Sequence, residues 1–307
     1  MHTKLQAVGV RMPTEFKQLH NKFQLKIWAK AHIFFVCGKN ICMKIIDECD
    51  KDLLQYGFAQ KKHQFGICEN ILSIKTDKQQ NKTGWQKGDY YIVNCPDLYL
   101  YNQKIVDYVE DILKKILKKI LAKTSSYKKV LVVGLGNREV VCDSFGVNVT
   151  SKILTTGHID ANLGAKVFCL CPMVECQSGI STSQIVCAIA KNIGADLVVL
   201  VDSFMTSSIK RLAHSFQFSS NGLIPGGAVG KTNSIDKSSL GIETISIGIP
   251  FMLNLKDICS NIKKDIIVSQ KDIMQNIKKT SDIVANVINC VLFPSLNKQE
   301  ICELICT

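Results

Sequence analysis

The sequence predicts an α/β fold: a mainly parallel sheet sandwiched by helices. Three observations point there. Short, uninterrupted apolar runs at 129–133, 166–170, 195–201 and 244–249 have the look of strands buried on both faces. Helical stretches at 104–123, 181–192 and about 270–291 alternate with them. Strands separated by helices imply right-handed crossovers and parallel pairing. The composition, 46% hydrophobic over 307 residues, suffices to build such a core and excludes a mainly disordered chain.

Each element has its own signal. In 104–123, Ile105, Val109, Ile112, Ile116 and Ile120 recur at spacings of three and four, which makes one apolar stripe. Lys114, Lys115, Lys118 and Lys119 fall on the remaining surface and read as a solvated face. Residues 71–98 read as extended, with turns at Asn81-Lys82-Thr83-Gly84 and Lys87-Gly88-Asp89. Tyr90 to Val93 form a strand that stops at Pro96. The last helix begins Ser269-x-x-Asp272, which resembles a capping box. Residues 1–70 show no clear pattern and are set apart as an N-terminal segment of uncertain role, the place where a pro-segment could lie; 71–307 form the α/β domain.

Charge and cysteine content narrow the class. The formal net charge is +12, from 38 basic and 26 acidic residues, yet only Arg11, Arg138 and Arg211 are arginine. Nucleic-acid readers rely on arginine forks and aromatic stacking, so direct nucleic-acid binding is not expected. The apolar stretch between Lys30 and Lys39 is far shorter than the about 20 residues a membrane span needs. Fourteen cysteines without a secretory signal point to a reducing, cytoplasmic compartment. No C-x-x-C pair or zinc-type array occurs, so no metal is expected.

Two glycine-rich loops invite a phosphate reading. In Gly134-Leu135-Gly136 the third glycine of a dinucleotide fingerprint is Glu139, whose charge repels a pyrophosphate. In Pro225 to Thr232 (PGGAVGKT) the first glycine of a phosphate-cradling loop is Pro225, which lacks an N–H. A nucleotide-dependent enzyme is therefore the weaker alternative, and no cofactor is expected. Asp143, in the loop after the first apolar strand, and Asp202, at the end of ADLVVLVD, project from the same edge of a parallel sheet. Two close carboxylates split their pKa values, so one can act as acid while the other activates water. Each can equally cap a helix, and on spacing alone capping is the stronger reading. His158, in LTTGH, can serve as a base or ligand, although a polar loop histidine is the plainer reading.

The order VLVVGLGN, Asp143, LTTGH, SGISTSQIV, ADLVVLVDS, FQFSSNGLIPGGAVG and SLGIETISIGIP resembles the germination (spore) protease family across about residues 85–295. The resemblance implies an α/β sandwich similar to hydrogenase-maturation proteases. It also implies an atypical aspartic endopeptidase, made as a zymogen and assembled as a homotetramer, that cleaves small acid-soluble spore proteins in the germinating spore core. The family's two catalytic aspartates fall on Asp143 and Asp202. His158, Gly226 and Gly227 are expected to help bind substrate, the glycine loop by offering backbone N–H groups to an oxyanion. Several supporting positions depart from the family pattern: Val141-Cys142 replace Thr-Pro, Gly157 replaces an arginine, and Lys231-Thr232-Asn233 replace a basic cluster. A relative that binds spore proteins without cutting them is the second reading.

Overall fold

The computed structural model describes residues 58–83, 85–98, 102–124, 127–159, 163–226, 233–258 and 266–306. The strands are β1 (Phe58–Lys62), β2 (Cys68–Ile74), β3 (Gly88–Asn94), β4 (Lys129–Gly134), β5 (Lys166–Leu170), β6 (Leu197–Thr206), β7 (Ser215–Ser219), β8 (Glu243–Asn254) and β9 (Ile267–Val268). The helices are α1 (Asp77–Thr83), α2 (Gln103–Leu121), α3 (Phe145–Thr150), α4 (Glu175–Ser178), α5 (Thr182–Ile193), α6 (Lys237–Leu240), α7 (Ile273–Leu292) and α8 (Lys298–Cys306). All described strands join one sheet in the order β1-β2-β3-β7-β8-β6-β4-β5, with β9 beside β8.

The sheet has two halves. β5, β4, β6 and β8 are parallel neighbours, the arrangement that the four apolar runs predict. β1, β2, β3 and β7 form an antiparallel wing that joins the parallel half where β7 pairs with β8. Sequence reading found β3 but not the wing as a unit. The boundary expected at residue 70 falls inside β2, and residues 58–70 belong to the same sheet. Residues 81–83 of the turn expected at 81–84 are instead the end of α1, whose first turn carries Asp77, and Gly84 lies outside the described residues. An acidic residue there suits the positive end of the helix dipole.

Alternation along each strand sends its side chains to two cores. Val130, Val132, Val199, Val201, Ile245 and Ile247 face the layer made by α2, α3 and α7. Leu131, Val133, Val198 and Leu200 face α5 and α6. The long helix α2 buries Ile105, Val109, Ile112, Leu113, Ile116 and Ile120, as its periodicity requires, and Asn102 caps it by accepting the Lys104 N–H at 3.0 Å. Glu110 is buried on the same helix, held by Lys298 of α8 at 3.1 Å and Asn286 of α7 at 3.1 Å. The capping box expected at Ser269 does not form. Asp272 is the N-cap without a side-chain bond, and Ser269 Oγ donates to the Phe251 carbonyl at 2.7 Å.

One contact fixes the carboxyl end of the parallel half. A Cβ on Gly146 would stand 2.3 Å from the Val201 carbonyl oxygen, and one on Gly134 would stand 2.3 Å from the Gly146 carbonyl oxygen. The first turn of α3 therefore lies directly on the end of β4 and the middle of β6, and the Leu135 N–H donates to the Val201 carbonyl at 2.8 Å. Gly146→Ala is expected to lower stability by about 1–3 kcal/mol, because rigid backbone must move to admit the methyl group. Thermal unfolding checks this, and an unchanged melting temperature would contradict it.

Candidate active site

The site is built from the two chain segments that this contact joins. Gly134 pairs in register with Val201, so Asp202 is the next residue along β6. Asp202 does not end its strand, as the sequence suggested: β6 continues to Thr206 and pairs Asp202 with Gly248 of β8. It therefore caps no helix. Its Oδ1 accepts the Ser203 N–H at 2.8 Å. Asp143 caps no helix either. It ends the short 3₁₀ turn Val141–Asp143, and the N-cap of α3 is Ser144.

Asp202 continues the series of Val198 and Leu200 on the α5 face. Phe204, two residues on, shares that face. Its ring lies where Gly248 has no side chain; a Cβ there would be 2.1 Å from the ring. The ring thus covers β8 at the register partner of Asp202. Across the site, Gly136 adopts φ 108, and a Cβ on it would stand 1.9 Å from the Asp143 carbonyl oxygen. Gly136 of GLGN thus makes room for Asp143, and Gly134 for Gly146, rather than for a phosphate. The Asn137 N–H donates to Asp143 Oδ2 at 2.9 Å, and Asn137 Oδ1 accepts from Gln177 Nε2 of α4 at 3.2 Å.

Both carboxylates are densely surrounded by protein while keeping a solvent-accessible edge. Burial pushes Asp143 up to about 6, against the smaller opposing effect of the Asn137 N–H. Burial, and then the charge of Asp143, push Asp202 well above the ordinary carboxylate range. Gly136, packed on Asp143, follows two residues after Gly134, the register partner of Val201, so the backbone brings Asp143 and Asp202 to one junction. A pair with raised, interacting pKa values can hold one shared proton near neutral pH. The Cys142 thiol is also pushed up, by burial and then by Asp143.

The remaining expected residues stand elsewhere or beyond view. His158 is exposed on the turn before β5, where Gly157 N–H donates to the Val167 carbonyl at 3.0 Å. Val167 is near the amino end of β5, so the structure does not bring His158 to the aspartates at the opposite edge. Gly226 is exposed with φ 68, in the segment following Leu223, which bridges Ile235. Gly227 and Lys231 lie outside the described residues. Among the described residues no group of three or more His, Cys, Asp or Glu side chains could hold a metal. A hollow lined by Gln60, Lys62, His63, Gly66, Ile67 and Cys68 lies on the antiparallel wing, remote from the carboxylates and without chemistry linking it to them. Sequence reasoning missed Gly136, Asn137, Gly146, Phe204 and Gly248. Gly136 carried the only readable signal, a glycine in a motif whose phosphate reading fails.

A profile of the germination protease family matches residues 47–264. A germination protease of Clostridium acetobutylicum is 26% identical over 281 residues, covering 75% of this chain and 86% of that protein. One from Clostridium perfringens is 29% identical over 264 residues, covering 70% and 81%. Among solved structures, a NiFe hydrogenase maturation protease from Thermococcus kodakarensis matches with TM-score 0.35 and 15% identity, covering 56% of this chain and 98% of that one. The chain belongs to the germination protease family. No described helix is long and apolar enough to cross a membrane.

The raised carboxylates set a stability test. A carboxyl whose folded pKa exceeds its unfolded value binds more protons when folded, so stability falls as pH rises from about 4 through about 6. Asp143→Asn removes that loss. Its melting temperature should exceed the wild type's by a few degrees at pH 7, with the gap narrowing toward pH 4. Calorimetry at both pH values checks this; a gap that is absent, or that widens in acid, counts against the shifted pKa.

Proposed function

We propose that this family member is an aspartic-type endopeptidase that cleaves small acid-soluble spore proteins during germination, with Asp143 and Asp202 activating water. The observation carrying this reading is the pairing of two shielded carboxylates, pKa values raised, at the carboxyl edge of the parallel strands. The spore core and the homotetramer implied by the resemblance belong to the same proposal.

The geometry suggests the roles. Asp143 has the Asn137 N–H on its carboxylate and the lower pKa of the two, so it enters ionised. Asp202 is buried and feels Asp143's charge, so it keeps the shared proton. A water between them loses one proton to Asp143 as its oxygen adds to the scissile carbonyl. Asp202 gives its proton to the carbonyl oxygen, forming a tetrahedral diol. Collapse of the diol returns a proton to Asp202 while Asp143 passes its own to the leaving nitrogen. Acid and base are thereby both restored.

Purified protein incubated with a small acid-soluble spore protein tests the reading. Asp143→Asn and Asp202→Asn are each expected to lower kcat by about 10²–10⁴. Equal cleavage by wild type and both variants removes the dyad. Substrate bound by the wild type with no peptide product favours the binding-only reading instead. Activity should also fall as pH drops through about 6, where Asp143 takes up a proton and ceases to be a base. A rate that stays flat from pH 7 to pH 4 counts against Asp143 as the base.

A further inference from the structure

The connection from β5 to α5 reaches back to the carboxylate pair. It contains α4, four residues long, none of them buried. Apolar packing therefore does not explain where α4 stands. The chain enters it through Met173, which holds φ 62, and leaves it at Gly179, with φ 70. Residues other than glycine rarely adopt such an angle, so the path into α4 is a specific one. Before Met173, Cys171 Sγ lies 3.0 Å from Thr150 Oγ1 of α3. After it, Gln177 Nε2 donates to Asn137 Oδ1 at 3.2 Å. Asn137 and Thr150 flank Asp143 in the chain, so α4 is tied to the segment that carries this carboxylate on both sides of it.

Asn137 is held and holds at the same time. Its backbone N–H donates to Asp143 Oδ2 at 2.9 Å, and its Oδ1 also accepts the Glu139 N–H at 3.0 Å. The backbone N–H belongs to the peptide unit that follows Gly136, whose φ is 108. A glycine leaves that unit unusually free to rotate, and rotation carries the N–H off the carboxylate. The Glu139 bond lies within the same turn and moves with it. The Gln177 bond comes from forty residues away and ties the turn to a separate element. Burial raises the Asp143 pKa, and the Asn137 N–H opposes this by favouring the charged form.

We propose that Gln177 is a positioning residue: by holding the Asn137 side chain, it keeps the Asn137 N–H aimed at Asp143 Oδ2. This deepens the proposed function and takes from it only the role of Asp143 as base. Without the tether the N–H spends part of its time turned away. Asp143 then keeps its proton to higher pH, and less of it is competent as a base. The other titratable groups acting there are Asp202 on β6 and Cys142 in the same turn. Arg138 and Glu139 follow Asn137, and Glu175 lies on α4. The buried faces of α3 and α7 carry no charged side chain. Replacing neutral Gln177 by another neutral residue leaves all of these charges in place.

The test follows the Asp143 carboxyl carbon against pH by NMR. Gln177→Met keeps the length and helix preference of the side chain and removes the donor. Its Asp143 midpoint should lie above the wild type's by roughly 0.3–0.5 pH unit, part of the effect of one hydrogen bond to a charged group. In cleavage of a small acid-soluble spore protein, its kcat should be about two- to threefold lower below pH 6 and near wild type at pH 8, with KM unchanged. In an Asn137→Ala background, Gln177→Met should have no further effect on the midpoint, because the acceptor it acts through is gone. An Asp143 midpoint identical in wild type and Gln177→Met overturns the proposal. So does an equal shift in the Asn137→Ala background, which would mean that Gln177 does not act through Asn137. Failure of the wild type to cut the spore protein would instead sink the proposed function, while the NMR titration would still decide the tether.

Discussion

The contact of the first turn of α3 with the end of β4 and the middle of β6 is the constraint on which the site depends. Gly134 and Gly146 bring a helix and two strands to a distance that excludes even a methyl group. The Leu135 N–H closes the same junction by donating to the Val201 carbonyl. Asp202 is the residue after Val201, and Asp143 lies three residues before Gly146. Backbone, rather than flexible side chains, therefore sets the separation of the two carboxyl groups. An arrangement held this way is preorganised.

The same junction determines the electrostatics. Both carboxylates lose hydration by burial, and the charge on Asp143 acts on Asp202. Such an arrangement weakens the folded state near neutral pH. Two large cores, one on each face of the sheet, supply the compensating burial. Phe204 over Gly248 connects the two ideas: a glycine on β8 lets an aromatic ring cover the strand at the register partner of the acid on β6. Asn137 works in the opposite sense, offering an N–H to Asp143 and so favouring its charge. These unequal surroundings distinguish two chemically identical side chains.

Much of the parallel half was legible because buried parallel strands are uninterrupted apolar runs and α2 has a clean stripe of isoleucines. Strand ends were less legible. β6 and β8 run on past the apolar runs through Asp202, Ser203 and Pro250, residues that carry no strand signal of their own. That extension is why Asp202 looked like a cap. The antiparallel wing was hidden because β1 and β2 alternate weakly, and α1, reading DKQQNKT, has no apolar stripe to reveal it. Both aspartates and the sheet edge they share were legible, but the backbone contacts that bring them close were not. They depend on Gly136, readable only as part of a failed phosphate motif, and on Gly146 and Gly248, whose lack of a side chain leaves no chemical signature. His158 illustrates the converse: a chemically suggestive residue that the crossover from α3 to β5 carries to the far edge.

The central claim is that Asp143 and Asp202 interact as one titrating unit. Carboxyl carbon chemical shifts of Asp202, followed against pH by NMR in wild type and in Asp143→Asn, test it most directly. Removing the neighbouring charge should move the Asp202 midpoint to lower pH while burial still holds it above the ordinary carboxylate range. An Asp202 midpoint identical in the two proteins would mean that the carboxylates do not sense each other, and the account of the site would fail.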